Sequence, residues 1–577
     1  MPAASCWSRR QWLGGMAMGA GAAWLGGCTP AAPRLQDLPG GFAGVLLERG
    51  HALRPFWQRL AQGIALPAPA RVHRAPVVIA GGGMAGLAAA RALELAGVRA
   101  AALIDTQPAM GGNSQGGAIA GVDCPLGAHY LPLPGDDAAE VQDWLEALGL
   151  RQRVSGRWRY DERHLCHSPQ ERLFWQGAWH EGLLPVDGVS AHTLAQYERF
   201  ARCIAREMRL ARFAMPSIRV WQRQQGLPAS HAALDGQSLQ AWLAGQGLDD
   251  AQLLWYLDYC CRDDFGAGLA RVSAWAGVHY FASRHGFSAP RAQDERAGEE
   301  AGEAVLTWPQ GNGWLSRQLV AGLAATDVQT DCSVLSIAEG ADGVEIDCWH
   351  HGRQQHERWL AARCVVALPA FIAARVLRDA PDFLRAVAGQ LDWAPWLVAN
   401  IHLRRPLADP SGAEAAWDNV LYADPNAGGL GYVDAGHQRL DRLTPQPTVI
   451  SYYQALGDWP DGRARLMAQP FDFWRERIVA SLSRPHPDLL HKATRMEIMR
   501  YGHAMAIPRP GDQRLLSGIA MASRHRHGHA LCAGERVALL PTPGTRRLWF
   551  AHADWAGYSV LEEAFTRGHH AGLWASA

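Results

Sequence analysis

Three glycines place the strongest constraint on this chain. Gly81, Gly83 and Gly86 are spaced G-x-G-x-x-G, directly after a short apolar run at 77–80. An Ala- and Leu-rich run over 87–96 follows and stops at Gly97; a second apolar run at 101–104 ends on Asp105. Strand, tight turn, helix and strand in this order open a dinucleotide-binding α/β fold. The first glycine permits the turn, the second lets backbone approach a pyrophosphate, and the third allows close packing of helix on strand. The helix start at Met84 and Ala85 offers N–H donors and a positive dipole end to phosphates. Asp105 ends the second strand, where an acid accepts hydrogen bonds from a ribose diol. The motif alone leaves NAD and FAD both open.

Composition narrows the class. The chain has 577 residues, 48% of them hydrophobic and 19% charged, which supplies a large core and excludes a disordered chain. Lys plus Arg equal Asp plus Glu at 55 each, so no bulk charge attracts nucleic acid. No run of 18 uninterrupted apolar residues occurs, which excludes a polytopic membrane protein. Lys492 is the sole lysine, so a catalytic lysine has one candidate.

The first residues read as an address. Arg9-Arg10 precede Trp12-Leu13 and a weakly apolar, Gly- and Ala-rich stretch to Gly27. This resembles a twin-arginine export signal, against the alternative of a chance Arg pair. Leu25-Gly26-Gly27-Cys28 resembles a lipoprotein box, with Cys28 as the lipid anchor. The expectation is export through the twin-arginine machinery to the periplasm, with attachment to a membrane resting on the lipid. Losing residues 1–27 removes two Arg and no acids, leaving 53 − 55 = −2 and no polybasic patch. The remaining cysteines show no disulfide framework, and adjacent Cys260 and Cys261 read as core residues.

Further along, 28–75 reads as a tether and an arm lying on the body. Helical patterns cover 138–148, 192–213 and 239–244; strand patterns cover 328–337, 343–348 and 364–368 as a meander. Strands are expected at 397–403, 448–453 and 548–551, and helices at 471–482 and 560–570.

Several segments, in chain order, carry a family resemblance. They are Met110-Gly111-Gly112-Asn113-Ser114, Pro125-Leu126-Gly127-Ala128-His129-Tyr130, and Pro309-Gln310-Gly311-Asn312-Gly313-Trp314-Leu315. Ser333-Val334-Leu335 and Val365-Val366-Ala367-Leu368-Pro369 follow, and then Leu548 to Asp554 with Gly557-Tyr558-Ser559. From about residue 76 to 572 the chain resembles the flavin-containing amine oxidase and phytoene desaturase superfamily. The resemblance implies FAD as cofactor. It implies an FAD-binding Rossmann-like domain assembled from 76–150, 305–375 and 540–577, and an α+β substrate domain from 151–304 and 376–539. It places Gly112 and Asn113 after the acidic strand, Gly127 and Ala128 beside the flavin ring, and Val334 at the adenine. Asp554 would bond the ribityl or pyrophosphate region from the start of the last helix.

The same resemblance sets expectations for chemistry. Flavin N5 accepts a hydride while the protein orients the substrate and excludes water. Many amine-oxidising members keep a lysine near N5, and Lys492 falls outside its usual place. Reoxidation by oxygen is therefore in question, and a quinone-like carrier is the other acceptor. Tyr501 and Tyr558 are candidate aromatic walls around an amine, and His129 is a candidate to bond the ring or substrate. Asp263 and Asp264 are weighed as a polyamine attractor against a solvated acidic pair. His525, His527 and His529 share a spacing that suits a metal, but interleaved Arg524 and Arg526 favour an exposed basic loop, so no metal is expected. The leading function is oxidation of a polyamine-like amine. The alternatives are desaturation of an apolar substrate and a non-catalytic flavin-fold binding protein.

Overall fold

The computed structural model describes residues 34–290, 304–426, 428–439 and 446–577. The export signal and Cys28 lie outside these residues. Two sheets organise the chain. The first is built around the strand Arg71–Ala80, which pairs in parallel with Ala102–Ile104 on one side and Gln355–Val366 on the other. Val78, Ile79 and Ala80 are fully buried, as expected of a parallel strand covered on both faces. Asp327–Gln329 extends the sheet beyond Ala102–Ile104. On the other side, Val344–His350 and Cys332–Glu339 follow Gln355–Val366 as an antiparallel meander.

The last strand, Leu548–Phe550, pairs with Cys364–Val366 beyond the point where the meander stops. This pairing returns the end of the chain to the first turn. The closing helix Leu561–Ser576 then packs on the glycine-motif helix Met84–Leu95, with Gly568 over Ala85 and Gly572 over Ala89.

The meander departs from expectation at one point. The segment 328–337 reads as one strand, but Asp331 takes a left-handed backbone conformation, φ 59°, and splits it. Asp327–Gln329 stays beside Ala102–Ile104, while Cys332–Glu339 crosses to Val344–His350.

Among the described residues the second sheet has eight strands. Its long members are Asp392–Leu403 and Ala493–Ile507, paired antiparallel, with Thr448–Ala455 on the other side of Asp392–Leu403. Gly429–Asp434, Asp418–Leu421, Glu171–Trp175 and Ala178–Glu181 continue it. Helices Ala191–Leu210, Ala251–Phe265 and Ala274–Ala282 share a hydrophobic cluster with this sheet. No helix of the described residues is long and apolar enough to cross a membrane.

The arm does more than lie on the body. Gly40–Phe42 joins the second sheet beside Met496–Ile498. A few residues later Arg49 bonds the Thr106 carbonyl at 2.6 Å and pairs with Asp331 at 2.5 Å, both on the first sheet's side. The arm thus straps the two sheets together near the end of the strand that carries Asp105. The nine described cysteines are free; Cys260 and Cys261 are buried side by side in the helix Ala251–Phe265.

Candidate active site

The glycine turn fits its steric tasks. Gly81 has φ 107°, and a Cβ there would meet the Ala367 carbonyl oxygen at 2.3 Å. A Cβ on Gly86 would meet the Gly81 carbonyl oxygen at 1.8 Å, which holds helix and strand in contact. Gly83 differs: a Cβ there would face open space, with only the Gly112 Cα, at 3.9 Å, nearby. Gly83 and Gly111 form a parallel bridge, and Gly111 N–H donates to Gly82 O at 2.8 Å. Two glycine segments therefore line one gap.

Helix Met84–Leu95 opens onto that gap without a capping side chain. The N–H groups of Met84, Ala85 and Gly86 have no partner among the described residues, although all three residues are buried. Buried N–H groups are rarely left unpaired, so this end is built for an anionic ligand. Asp105 marks the ribose end. Its carboxylate accepts from Gly82 N–H and Gln107 N–H, each at 2.7 Å, and each oxygen keeps a further lone pair. Burial raises its pKa, and these two backbone bonds oppose that rise. Cys332 N–H donates to Asp105 O at 2.8 Å, so Val334 follows two residues beyond the acid on the outermost strand of the sheet.

At the other end, Asn113 and Gly127 are locked together. Ala128 N–H donates to Asn113 O at 2.8 Å, and a Cβ on Gly127 would stand 2.3 Å from that oxygen. The Asn113 side-chain amide donates to Ala504 O at 2.5 Å. These residues form one wall of a cavity with about 860 Å³ of empty space, part of it open to solvent. His129, Tyr453, Tyr501 and Trp396 also line it. His129 stacks on Tyr453 with 4.3 Å between ring centres, and Trp417 lies 5.5 Å away. Tyr501 donates to Leu126 O at 2.7 Å, which fixes its ring in the wall. Burial lowers the His129 pKa to about 3, a fall that its bond to the Gly127 backbone only partly offsets. The ring is therefore neutral at physiological pH and acts as an aromatic surface and a hydrogen-bonding group, not as a cation.

Two expectations need correction. Tyr558 is absent from the cavity lining. Its hydroxyl donates to Glu563 at 2.6 Å, and its ring packs among Phe265, Trp275 and His279. Glu563 in turn holds Ser217 and Arg567, so the buried carboxylate drew the tyrosine into the core. Asp554 sits on a short 3-10 turn, Ala553–Ala556, not at the start of the last helix, which begins at Leu561. Its carboxylate accepts from Ala370 N–H at 2.8 Å and from Trp393 Nε1 at 3.2 Å. Burial alone would raise its pKa, but the His552 ring and these donors outweigh it and hold the pKa below the usual value. The direct partners of Asp554 are protein groups, and it ties the last strand to the segment after Val366.

The acidic pair is not a solvated one. Asp263 and Asp264 end the helix Ala251–Phe265 and line the cavity, with Glu562 and Arg284. A charge run read by itself gives no sign of this; the signal was Tyr259-Cys260-Cys261 just before the pair, which marks the helix face as buried. Arg284 pairs with Asp264 at 3.8 Å, and Tyr130 donates to Asp263 at 3.2 Å. Asn312 also lines the cavity. Its amide nitrogen donates to Tyr130 O at 2.8 Å, and its Oδ1 is buried without a partner. Lys492 is far from this role: it pairs with Asp488 at 2.5 Å on a short helix. His525 is no exposed loop residue; it is buried between Trp549 and Trp574.

Residues 84–449, well over half of the chain, match the family of flavin-containing amine oxidoreductases. The chain belongs to that family. It is an FAD-dependent oxidoreductase with the family's mixed α/β fold. The fold resembles putrescine oxidase in a structure bound to putrescine, at 15% identity and TM-score 0.56, covering 87% of this chain and 98% of that one. It also resembles cyclohexylamine oxidase from Brevibacterium oxydans IH-35A, at 14% identity and TM-score 0.59, with 87% and 98% covered. A fatty acid isomerase from P. acnes is similar at 13% identity and TM-score 0.56, with 86% and 97% covered. None of the curated proteins matches the sequence.

The residues fit FAD on two observations made above: the unpartnered helix N-terminus beside the open gap at Gly83, and the cavity reached from Gly127 and Ala128. Gly81, Gly83, Met84, Ala85, Gly86 and Gly112 would hold the pyrophosphate, Asp105 and Val334 the adenosine, and Asn113, Gly127 and Ala128 the ring end. The bound flavin supplies a two-electron acceptor. The chain itself would orient the substrate against the cavity's aromatic walls.

Proposed function

We propose that this oxidoreductase is exported to the periplasm and oxidises an amine, with a polyamine-like substrate favoured. One observation carries the substrate class: Asp263, Asp264 and Glu562 line a single cavity, and among its described lining residues Arg284 is the one Arg or Lys to balance them. Such an excess of acid suits a ligand that brings positive charge. Aromatic faces of His129, Tyr453 and Tyr501 beside it suit a cationic or desolvated amine. An apolar substrate would leave the three carboxyls with Arg284 alone to balance them, which disfavours desaturation. The absence of Lys492 from the cavity favours a quinone-like acceptor over oxygen.

The test is anaerobic bleaching of the visible flavin absorbance by a panel of monoamines, diamines and polyamines. Bleaching by one amine class supports the reading; a yellow protein that no amine bleaches overturns it. Gly83→Glu, which fills the open gap, should give a folded, colourless protein. Export rests on the sequence at Arg9, Arg10 and Cys28. Replacing both arginines by lysine should strand the protein in the cytoplasm, and unchanged periplasmic recovery would sink the export reading.

A further inference from the structure

An amine that arrives as an ammonium ion cannot release hydride from its α-carbon, because nitrogen has no lone pair to form the new C=N bond. The cavity must therefore take a proton from the substrate first. Among the cavity residues, His129 is a poor acceptor: its ring is held in a stack with Tyr453, and burial makes it a weak base. Asp264 is buried and already faces Arg284. Asp263 is different. It lines the cavity, it has no ion-pair partner among the described residues, and its hydrogen bond comes from a neutral phenol, Tyr130. A second acceptor lines the same cavity: Asn312 donates to the backbone carbonyl of Tyr130 and leaves its own buried Oδ1 open among the described residues.

We propose that Asp263 is the catalytic base that deprotonates the substrate ammonium, while Asn312 Oδ1 accepts a remaining N–H and orients it. In this step one N–H bond breaks and one O–H bond forms on the Asp263 carboxylate. Both electrons of the N–H bond stay on nitrogen as its lone pair, so no oxidant is needed. The inference rests on the amine reading above and deepens it.

The surroundings of Asp263 are consistent with proton exchange near neutral pH. Its own helix contributes Tyr259, Cys260 and Asp264; the neighbouring segments contribute Tyr130, Arg284, Asp418 and Tyr453. Glu171 and Glu562 stand behind Asp418 and Asp264. Burial, then the charge of Asp264, raises the Asp263 pKa to about 7, against opposing contributions from Tyr130 and Arg284. A base poised there is ionised often enough to accept a proton and releases it readily.

The experiment uses the FAD-loaded protein and two probes. The first is 1,4-diaminobutane, followed by anaerobic stopped-flow bleaching from pH 6 to 10. Asp263→Asn should slow bleaching at pH 7 by on the order of 10²-fold. The loss should shrink toward pH 10, where the amine, with a pKa of about 10, arrives partly neutral. Asp263→Glu should restore part of the rate. The second probe is tert-butylamine, which binds as an amine but has no α-hydrogen to lose. Calorimetry in two buffers should show about one proton released per amine bound at pH 6, falling toward none at pH 8.5. Asp263→Asn should abolish that release. Equal pH profiles for wild type and Asp263→Asn, or proton release that persists in the variant, overturn the assignment while leaving the amine reading intact. Failure of every amine to bleach the wild type overturns both.

Discussion

Gly568 lies so close over the Ala85 carbonyl that a methyl group on it would stand 2.0 Å from the oxygen. The closing helix therefore touches the glycine-motif helix backbone to backbone, and Gly572 repeats the contact one turn on at Ala89. Gly568→Val should push the two helices apart and shift the unpaired N–H groups of Met84 and Ala85. Overpacking of this kind costs about 1–3 kcal/mol. The expected result is a lower Tm together with a lower ratio of flavin absorbance to protein absorbance. Gly389→Ala is the control: it lies in the helix Asp382–Gln390 with open space around it, so it should raise stability by up to about 1 kcal/mol and leave flavin content unchanged.

His231 gives a pH prediction with a definite sign. Its ring is buried against Phe213, with 4.2 Å between centres, and neither nitrogen has a hydrogen-bond partner among the described residues. Burial, then the nearby His279, lowers its pKa to about 3. Between that value and the unfolded value of about 6.5 the unfolded chain binds the extra proton, so the neutral ring costs stability as pH falls through this window. His231→Leu removes both the unpaired nitrogens and the titration. It should stabilise by about 1–3 kcal/mol at pH 8. At pH 5 the gain should be larger by up to about 2 kcal/mol. Denaturant unfolding at the two pH values checks it, and a gain independent of pH would count against the argument.

What could be read from the sequence was local or repeated along the chain. The turn at Gly81–Gly86 was legible because its steric rules act within six residues, and the helix Phe471–Leu482 was legible because its apolar spacing is regular. The split at Asp331 was not legible, since Gln329-Thr330-Asp331 also fit a half-exposed strand and the break comes from one left-handed residue. The same holds for Tyr558: its fate was decided by Glu563, which also binds Ser217, 346 residues away. The sequence left Asp263 and Asp264 open between a ligand-facing and a solvated pair, because whether an acid at a helix end meets water or a cavity depends on what packs opposite. Here that is Tyr130 and Arg284, from two separate segments.

Arg49 predicts a role for the arm in holding the cofactor. It bonds Thr106 O and Asp331, while Leu46 N–H donates to Gln107 Oε1 at 3.2 Å, all beside Asp105. Phe56 adds a ring contact with Trp349 at 5.2 Å. Arg49→Ala should free this part of the arm, make it more sensitive to limited proteolysis, and speed FAD release severalfold as followed by flavin fluorescence. Bleaching rates of the still-loaded fraction should not change, because the cavity lies at the other end of the cofactor.

Lys492 leads to the last prediction. Its ammonium is held by Asp488 and by the Pro406 carbonyl at 2.5 Å, and it is absent from the cavity lining. With no other lysine in the sequence, no lysine lines the described cavity. The amine-reduced protein should therefore react slowly with dissolved oxygen and quickly with a soluble quinone. Single-turnover mixing of the reduced protein with each acceptor checks this, and Lys492→Met should leave both rates unchanged. Fast oxygen reoxidation that Lys492→Met does not alter would mean that another group, with Asp263 and the Asn312 amide the first to examine, orders water at the flavin.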